Sequence, residues 1–177
     1  MGIPNLLTFL RIILIPVFIL LFYLPFRGSH VLAAIIFIFA AMTDWLDGYL
    51  ARSLGQVSKL GTFLDPVADK LIVVTALVLL VGDRVLPYLA IPAIVIICRE
   101  IMVSALREWM AEIGKRTRIA VTRIGKIKTT VQMLALILLL LYKPGAWFAL
   151  ALSGYLLLYL AALLTLWSMS LYLKAAW

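Results

Sequence analysis

The sequence predicts an all-α integral membrane protein, a six-transmembrane-helix bundle forming a single transmembrane domain over residues 1–177. Three observations predict it. Hydrophobic residues make up 66% of the chain against 14% charged, and mean hydropathy is +1.15, outside the range of soluble or disordered chains. Apolar runs long enough to span a bilayer are broken by Pro, Gly and charge. At roughly 20 residues per span, six helices use up the sequence and leave no room for a soluble domain.

The first span is expected over 5–24. Its apolar stretch contains Arg11 and Pro16 and is not followed by a small-residue cleavage site, so it reads as a retained helix, not a signal peptide. Asn5 stands before this run as an N-cap. Further spans are expected over 31–54, 61–81, 86–106, 124–141 and 147–172. Pro25, Arg27 and Gly28 mark the first turn, Gly82, Asp83 and Arg84 the second, and Lys143, Pro144 and Gly145 the third. The polar stretch 111–123 is the one long connection and has room for a short interfacial helix. His30 is expected in an interfacial loop.

Sixteen Lys and Arg against eight Asp and Glu give a net charge of +8. In a membrane chain such an excess sets orientation or binds anionic groups, and nucleic acid is the weaker reading. Arg27, Arg84 and Lys143 fall on one side. The remaining thirteen basic residues, among them Arg52, Lys59, Lys70, Arg107, Lys115, Arg116, Lys126 and Lys128, fall on or approach the other. That side is cytoplasmic by the positive-inside rule, with both termini inside. Trp147, Tyr155, Tyr159, Trp167, Tyr172 and Trp177 suit interfacial anchoring, or plain packing. The lone cysteine, Cys98, excludes an internal disulfide and reads as a packed small hydrophobe.

Half of the acidic residues fall in two short stretches. Asp44, Asp47, Gly48, Ala51 and Arg52 share a helix face, and Asp65 and Asp69 repeat the spacing on the next helix. Asp44 lies ~15 Å inside the end of its span and Asp69 ~12 Å inside the start of the next, so an antiparallel pair brings the four carboxylates together. Uncompensated, each acid costs at least ~2.5–3.5 kcal/mol at mid-bilayer. Divalent cations remove that penalty. Hard oxygen ligands without neighbouring His or Cys favour Mg²⁺ or Mn²⁺, and four carboxylates suffice for two ions, an arrangement suited to displacement at phosphorus. Ion pairing with Arg52, Lys59 and Lys70 explains one or two of these acids, not four. Gly48 and Gly61 let a bulky ligand approach the backbone, or ease helix packing.

The pattern D-x2-D-G-x2-A-R-x8-G-x3-D-x3-D, read as Asp44, Asp47, Gly48, Ala51, Arg52, Gly61, Asp65 and Asp69, resembles the signature of the CDP-alcohol phosphotransferases at every position. The likeness extends through Ile3-Pro4-Asn5, Thr8 and Arg11, through Arg99-Glu100 and 104–112, and through 125–129. Within the family it points to the branch acting on glycerol 3-phosphate. The resemblance implies the family's six-helix fold, CDP-diacylglycerol as donor, sn-glycerol 3-phosphate as acceptor and a homodimer. It implies two divalent ions, Mg²⁺ or Mn²⁺, on Asp44, Asp47, Asp65 and Asp69, with Asp69 also the candidate base. Gly48, Ala51, Arg52 and Gly61 are then expected to shape the donor pocket.

The basic residues bear on the acceptor. Arg99 and Arg107 lie eight apart, near one helix face, and Lys126 on the next span can meet them, a set suited to a phosphate monoester. Arg99 is expected to be unpaired with Glu100, since adjacent residues point apart. Asn5, Arg11 and Lys128 are secondary candidates. A neutral or zwitterionic acceptor such as serine or choline has no use for that set. Inositol phosphate, phosphatidylglycerol, and a cation pathway lined by the carboxylates remain open on the residues alone.

Overall fold

A computed structural model describes the backbone of residues 3–26, 28–54, 59–83, 86–112, 123–142 and 148–176. Within these, the side chains at 3–5, 44–54, 59–60, 62–63, 107, 111, 123–126 and 171–176 are outside the description. The described chain is all-helical: α1 (Ile3–Tyr23), α2 (Ser29–Leu54), α3 (Lys59–Gly82), α4 (Ala90–Glu112), α5 (Arg123–Leu141) and α6 (Phe148–Ala176). Among the described residues, two helices contain stretches long and apolar enough to cross a membrane, Leu6–Tyr23 and Phe148–Ser170. The others carry the charged residues described above or are shorter in apolar length.

The helices fall into two compact units, α1–α3 with the end of α5, and α4–α6. In the first, α1 packs along α2 and α3. Its inward stripe is Thr8, Arg11, Phe18 and Phe22, at helical spacing, against Ala33, Phe37 and Ala40 of α2 and Ala68, Ile72 and Ala76 of α3. Small residues on α2 and α3 let the α1 backbone approach, and Phe18 fills the space beside Phe37 with ring centroids 6.0 Å apart. In the second unit, Ala93, Ile96, Arg99, Val103 and Met110 form the buried stripe of α4, and Ala151, Leu158, Ala161, Thr165 and Ser168 that of α6.

Polarity is distributed inside-out. Thr8, Arg11, Thr43, Arg99, Lys128, Gln132, Thr165 and Ser168 are buried, while Leu6, Ile13, Leu20, Ile94, Ile101, Leu156 and Leu163 are each more than half exposed. Water does not tolerate such a surface on a single soluble chain; lipid does. This is a membrane protein.

Four local expectations are corrected. The turn before α4 extends to Leu89, so the helix starts at Ala90 and not Leu86. There Leu86 N–H bonds to the Asp83 carbonyl (3.2 Å) and Tyr88 adopts φ 62°, a left-handed conformation. The Tyr155 hydroxyl donates to the Pro87 carbonyl and the Tyr159 hydroxyl to that of Tyr88 (3.1 Å), so two expected anchors tie this turn to α6. His30 belongs to the first turn of α2, its ring 5.0 Å from that of Phe22, and not to a loop. Asn5 lies inside α1, which begins at Ile3, and is therefore not its N-cap. Cys98 is exposed, not packed. On a helix apolar all round, hydropathy cannot tell the core face from the lipid face. The connection 113–122 lies outside the described residues, as do Arg27, Arg84, Lys143 and Trp147.

Gly154 brings α6 onto α5. A β-carbon there meets Leu139 Cδ2 and Cγ at 2.8 Å, with the Leu139 backbone nitrogen behind at 3.4 Å, leaving little room to yield. Gly154→Ala is therefore expected to cost about 1–3 kcal/mol and lower the thermal unfolding midpoint in detergent, whereas Leu156→Ala on the exposed face of α6 leaves it nearly unchanged.

Candidate functional site

In the first unit, Asp65 and Asp69 stand four residues apart on α3 and so share a face. Facing them, α1 presents Thr8 and Arg11, three apart. The Thr8 hydroxyl donates to Asp65 Oδ1 and Arg11 Nη1 donates to Asp69 Oδ1. Both α1 residues are fully buried, whereas the Asp69 side chain is 43% exposed. Each pairing advances along both helices in the same sense, so α1 and α3 run parallel at the site, as the first and third members of an up-down-up bundle must. The steps are ~4.5 Å on α1 and ~6 Å on α3, close enough for two side-chain bonds to hold one register.

Arg11 is expensive to bury, and Asp69 is its compensation. From the other side, Asp69 is a carboxylate backed by a cation and still accessible. Metal-binding carboxylates are commonly held by such second partners, which fix their orientation. Asp65 and Asp69 supply hard oxygen donors on one face, with neither His nor Cys of the chain on α3, and this fits Mg²⁺ or Mn²⁺ better than Zn²⁺. The side chains of Asp44 and Asp47 lie outside the described residues, so the expected four-carboxylate cluster is represented here by its α3 half. Among the described residues no three metal-ligating side chains converge. Gly48, Ala51 and Arg52 belong to α2 with side chains outside the description, and Gly61 is buried in the first turn of α3. Thr43, just before Asp44, is buried and donates to the Ala40 carbonyl at 2.7 Å, which anchors that turn of α2.

The second unit holds a separate polar cluster. Arg99 Nη1 donates to Glu100 Oε1 at 2.9 Å, Lys128 Nζ donates to the same oxygen at 2.6 Å, and Arg99 Nη2 donates to Ser168 Oγ at 2.9 Å. Ser168 Oγ in turn donates to the Thr165 carbonyl at 3.0 Å. Three helices are joined by these bonds. The expectation that Arg99 and Glu100 stay apart is overturned. Adjacent residues do diverge at Cβ, but the long Arg side chain bends back toward a carboxylate already drawn to Lys128 of α5. The side chains of Arg107 and Lys126 are outside the described residues. Lys128, a secondary candidate, is the lysine that the structure links to Arg99.

Thr8, Glu100 and Ser168 carry no role in the sequence reading. A signal for Thr8 existed: a threonine one turn before an arginine in an otherwise apolar helix marks a polar face that must be met from a neighbour. Ser168 carried none, since serine is common in membrane helices.

The profile of the CDP-alcohol phosphatidyltransferase family matches residues 1–167. The chain is 58% identical over 184 residues to a CDP-diacylglycerol–glycerol-3-phosphate 3-phosphatidyltransferase of Pseudomonas fluorescens, covering 100% of this chain and 91% of that protein. A protein of the same name from Yersinia enterocolitica is 52% identical, covering 100% of this chain and 96% of the relative. The one from Escherichia coli K12 is 54% identical, covering 99% and 94%.

Arg11→Met is expected to lower the unfolding midpoint more than Thr8→Val. The first leaves a half-exposed carboxylate without its cation at about 2 kcal/mol or more, and the second removes one neutral donor at about 1 kcal/mol. Thermal unfolding of both variants in the same detergent checks the order.

Proposed function

This chain belongs to the CDP-alcohol phosphatidyltransferase family, and on that premise we propose that it transfers the phosphatidyl group of CDP-diacylglycerol to sn-glycerol 3-phosphate, giving phosphatidylglycerol phosphate and CMP. The observation that carries this is identity of 52–58% along the whole chain to enzymes bearing that name. Residues 1–177 act as one catalytic domain.

The chemistry is displacement at phosphorus. The C1 hydroxyl oxygen of glycerol 3-phosphate forms a bond to the phosphatidyl phosphorus, and the bridging P–O bond to CMP breaks with its electron pair leaving on CMP. The hydroxyl proton passes to a base, for which Asp69 is the candidate. Arg11 holds one oxygen of that carboxylate from the buried side, which orients the group toward the exposed side where a hydroxyl can reach it. Thr8 does the same for Asp65. When bound, two Mg²⁺ or Mn²⁺ ions on Asp44, Asp47, Asp65 and Asp69 supply positive charge against the donor's pyrophosphate. Gly48, Ala51, Arg52 and Gly61 receive the cytidine diphosphate part, with Arg52 countering phosphate charge. Asn5 borders this end of α1. Arg99, Arg107 and Lys126, joined by Lys128, bind the acceptor's phosphate.

All six helices span the bilayer, with both termini and the site on the cytoplasmic side of the inner membrane, where both the soluble acceptor and CMP are at hand. The diacylglycerol tails then stay in lipid throughout the reaction. The functional unit is a homodimer.

The test is CMP release by the purified, detergent-solubilised chain supplied with CDP-diacylglycerol, glycerol 3-phosphate and Mg²⁺ or Mn²⁺. Release is expected, and EDTA should abolish it; metal-independent release contradicts the carboxylate assignment. Asp65→Asn is expected to reduce turnover to background. Arg107→Ala should raise KM for glycerol 3-phosphate about tenfold or more while leaving KM for CDP-diacylglycerol within about twofold, and an unchanged acceptor kcat/KM removes Arg107 from the site.

A further inference from the structure

Two buried side chains of α1, Thr8 and Arg11, reach across to the two acids of α3, and the way each carboxylate is held bears on which cation the pair accepts. We propose that Thr8 is a positioning residue for metal selectivity: by engaging Asp65 Oδ1 it opposes chelation of a single ion through both carboxylate oxygens, and so favours small octahedral ions, Mg²⁺ or Mn²⁺, over Ca²⁺. This rests on the carboxylate–metal reading given under Proposed function and deepens it.

A carboxylate offers a cation one oxygen or both. Ca²⁺ takes about 6–8 oxygens at about 2.3–2.6 Å and accepts both oxygens of one carboxylate in its loose shell; Mg²⁺ demands a near-ideal octahedron at about 2.0–2.1 Å, which the narrow bite of a chelating carboxylate strains. Mn²⁺ shares the octahedral preference. The Thr8 hydroxyl has one proton, and it is directed at Oδ1 of Asp65. An oxygen already accepting a hydrogen bond is the weaker ligand, so an ion arriving at this carboxylate is steered to Oδ2. Arg11 Nη1 engages Oδ1 of Asp69 in the same way, so α1 takes up one oxygen of each α3 acid. Two acids that might have offered four oxygens to a large ion then offer fewer, each from a fixed direction.

Burial makes the hold rigid. Thr8 is 1% exposed and Arg11 wholly buried, and Ala68, between the two acids on the α3 face that meets α1, is wholly buried too. That small side chain lets the helices lie close enough for a short hydroxyl to reach the carboxylate. A threonine enclosed in this way cannot turn its hydroxyl out to solvent, as one on a free surface can. Asp65 itself is only partly buried and Asp69 is 43% exposed, so both acids stay open to an ion on the side away from α1. Packing alone does not require the hydroxyl, since valine has the same shape; the proton is what bears on the ion.

The test compares wild type, Thr8→Val, Thr8→Ala and Thr8→Ser as purified full-length protein in detergent. The electron paramagnetic resonance signal of free Mn²⁺ is followed as Ca²⁺ is titrated in as competitor, with the thermal unfolding midpoint measured without metal. Asp65→Asn serves as the control for the site and should lose most of the Mn²⁺ binding. Thr8→Val keeps the shape and removes the proton; it should raise affinity for Ca²⁺ relative to Mn²⁺ about fivefold or more, while Thr8→Ser keeps the wild-type ratio. If Thr8→Val does not fold, the same shift in Thr8→Ala decides. The Ca²⁺ concentration that halves CMP release should fall in step. An unchanged ratio in Thr8→Val or, failing that, in Thr8→Ala overturns the proposal, as do equal losses of both ions that track the unfolding midpoint, the mark of a bond that only packs helices. If wild type binds no Mn²⁺, or Asp65→Asn binds it as wild type does, the carboxylate reading fails first, and the proposal with it.

Discussion

A charge placed inside an apolar helix must be met by another group from within the fold, because lipid offers nothing to solvate it. That constraint organises both units. Arg11 is wholly buried, and Asp69 answers it; Arg99 and Lys128 are almost wholly buried, and Glu100 answers both. Arg11–Asp69, Lys128–Glu100 and the bond from Arg99 to Ser168 cross between helices, so the requirement to satisfy these groups also bears on which helices touch and in what register. Apolar packing, such as Phe18 beside Phe37 and Gly154 against Leu139, sets how closely helices approach, and on helices apolar over most of their surface it specifies register less sharply. The polar contacts supply the specificity that hydrophobic burial supplies in a soluble core.

In the proposed reaction the same contacts serve the chemistry. A carboxylate held by a buried cation and half open on its other side is oriented before a ligand arrives, and so is an arginine gripped by both a carboxylate and a serine hydroxyl. Pre-orientation is useful where a dianionic acceptor must approach an anionic donor, because the positive groups need no rearrangement at the moment of transfer. Family membership along 1–167 favours this use of the carboxylates over a cation pathway.

Much of this was legible in the residues. Helical class and all six helices follow from hydropathy and from Pro and Gly punctuation, and five of the six helices begin within two residues of expectation. The start of α4 was missed because Tyr88 adopts a left-handed turn that no residue type announced. The motif from Asp44 to Asp69 is conspicuous because acids are so costly in these segments. Arg11 and Lys128 are visible as anomalies, but a sequence shows a charge in an apolar helix without showing its partner. Glu100 was misread for the opposite reason: a rule for neighbouring Cβ directions was applied to a side chain long enough to escape it. Cys98 and His30 show the limit of composition, which is blind to the face of an apolar helix and to its first turn.

The most direct measurement of the account is an acceptor panel: CMP release from CDP-diacylglycerol by the purified chain, with glycerol 3-phosphate, serine, inositol phosphate and phosphatidylglycerol compared under identical conditions. The likeness along the whole chain to enzymes named for glycerol 3-phosphate predicts release with that acceptor and none with serine or phosphatidylglycerol, with inositol phosphate far behind. Equal or greater release with serine or phosphatidylglycerol contradicts it, because neither acceptor carries the phosphate monoester of glycerol 3-phosphate.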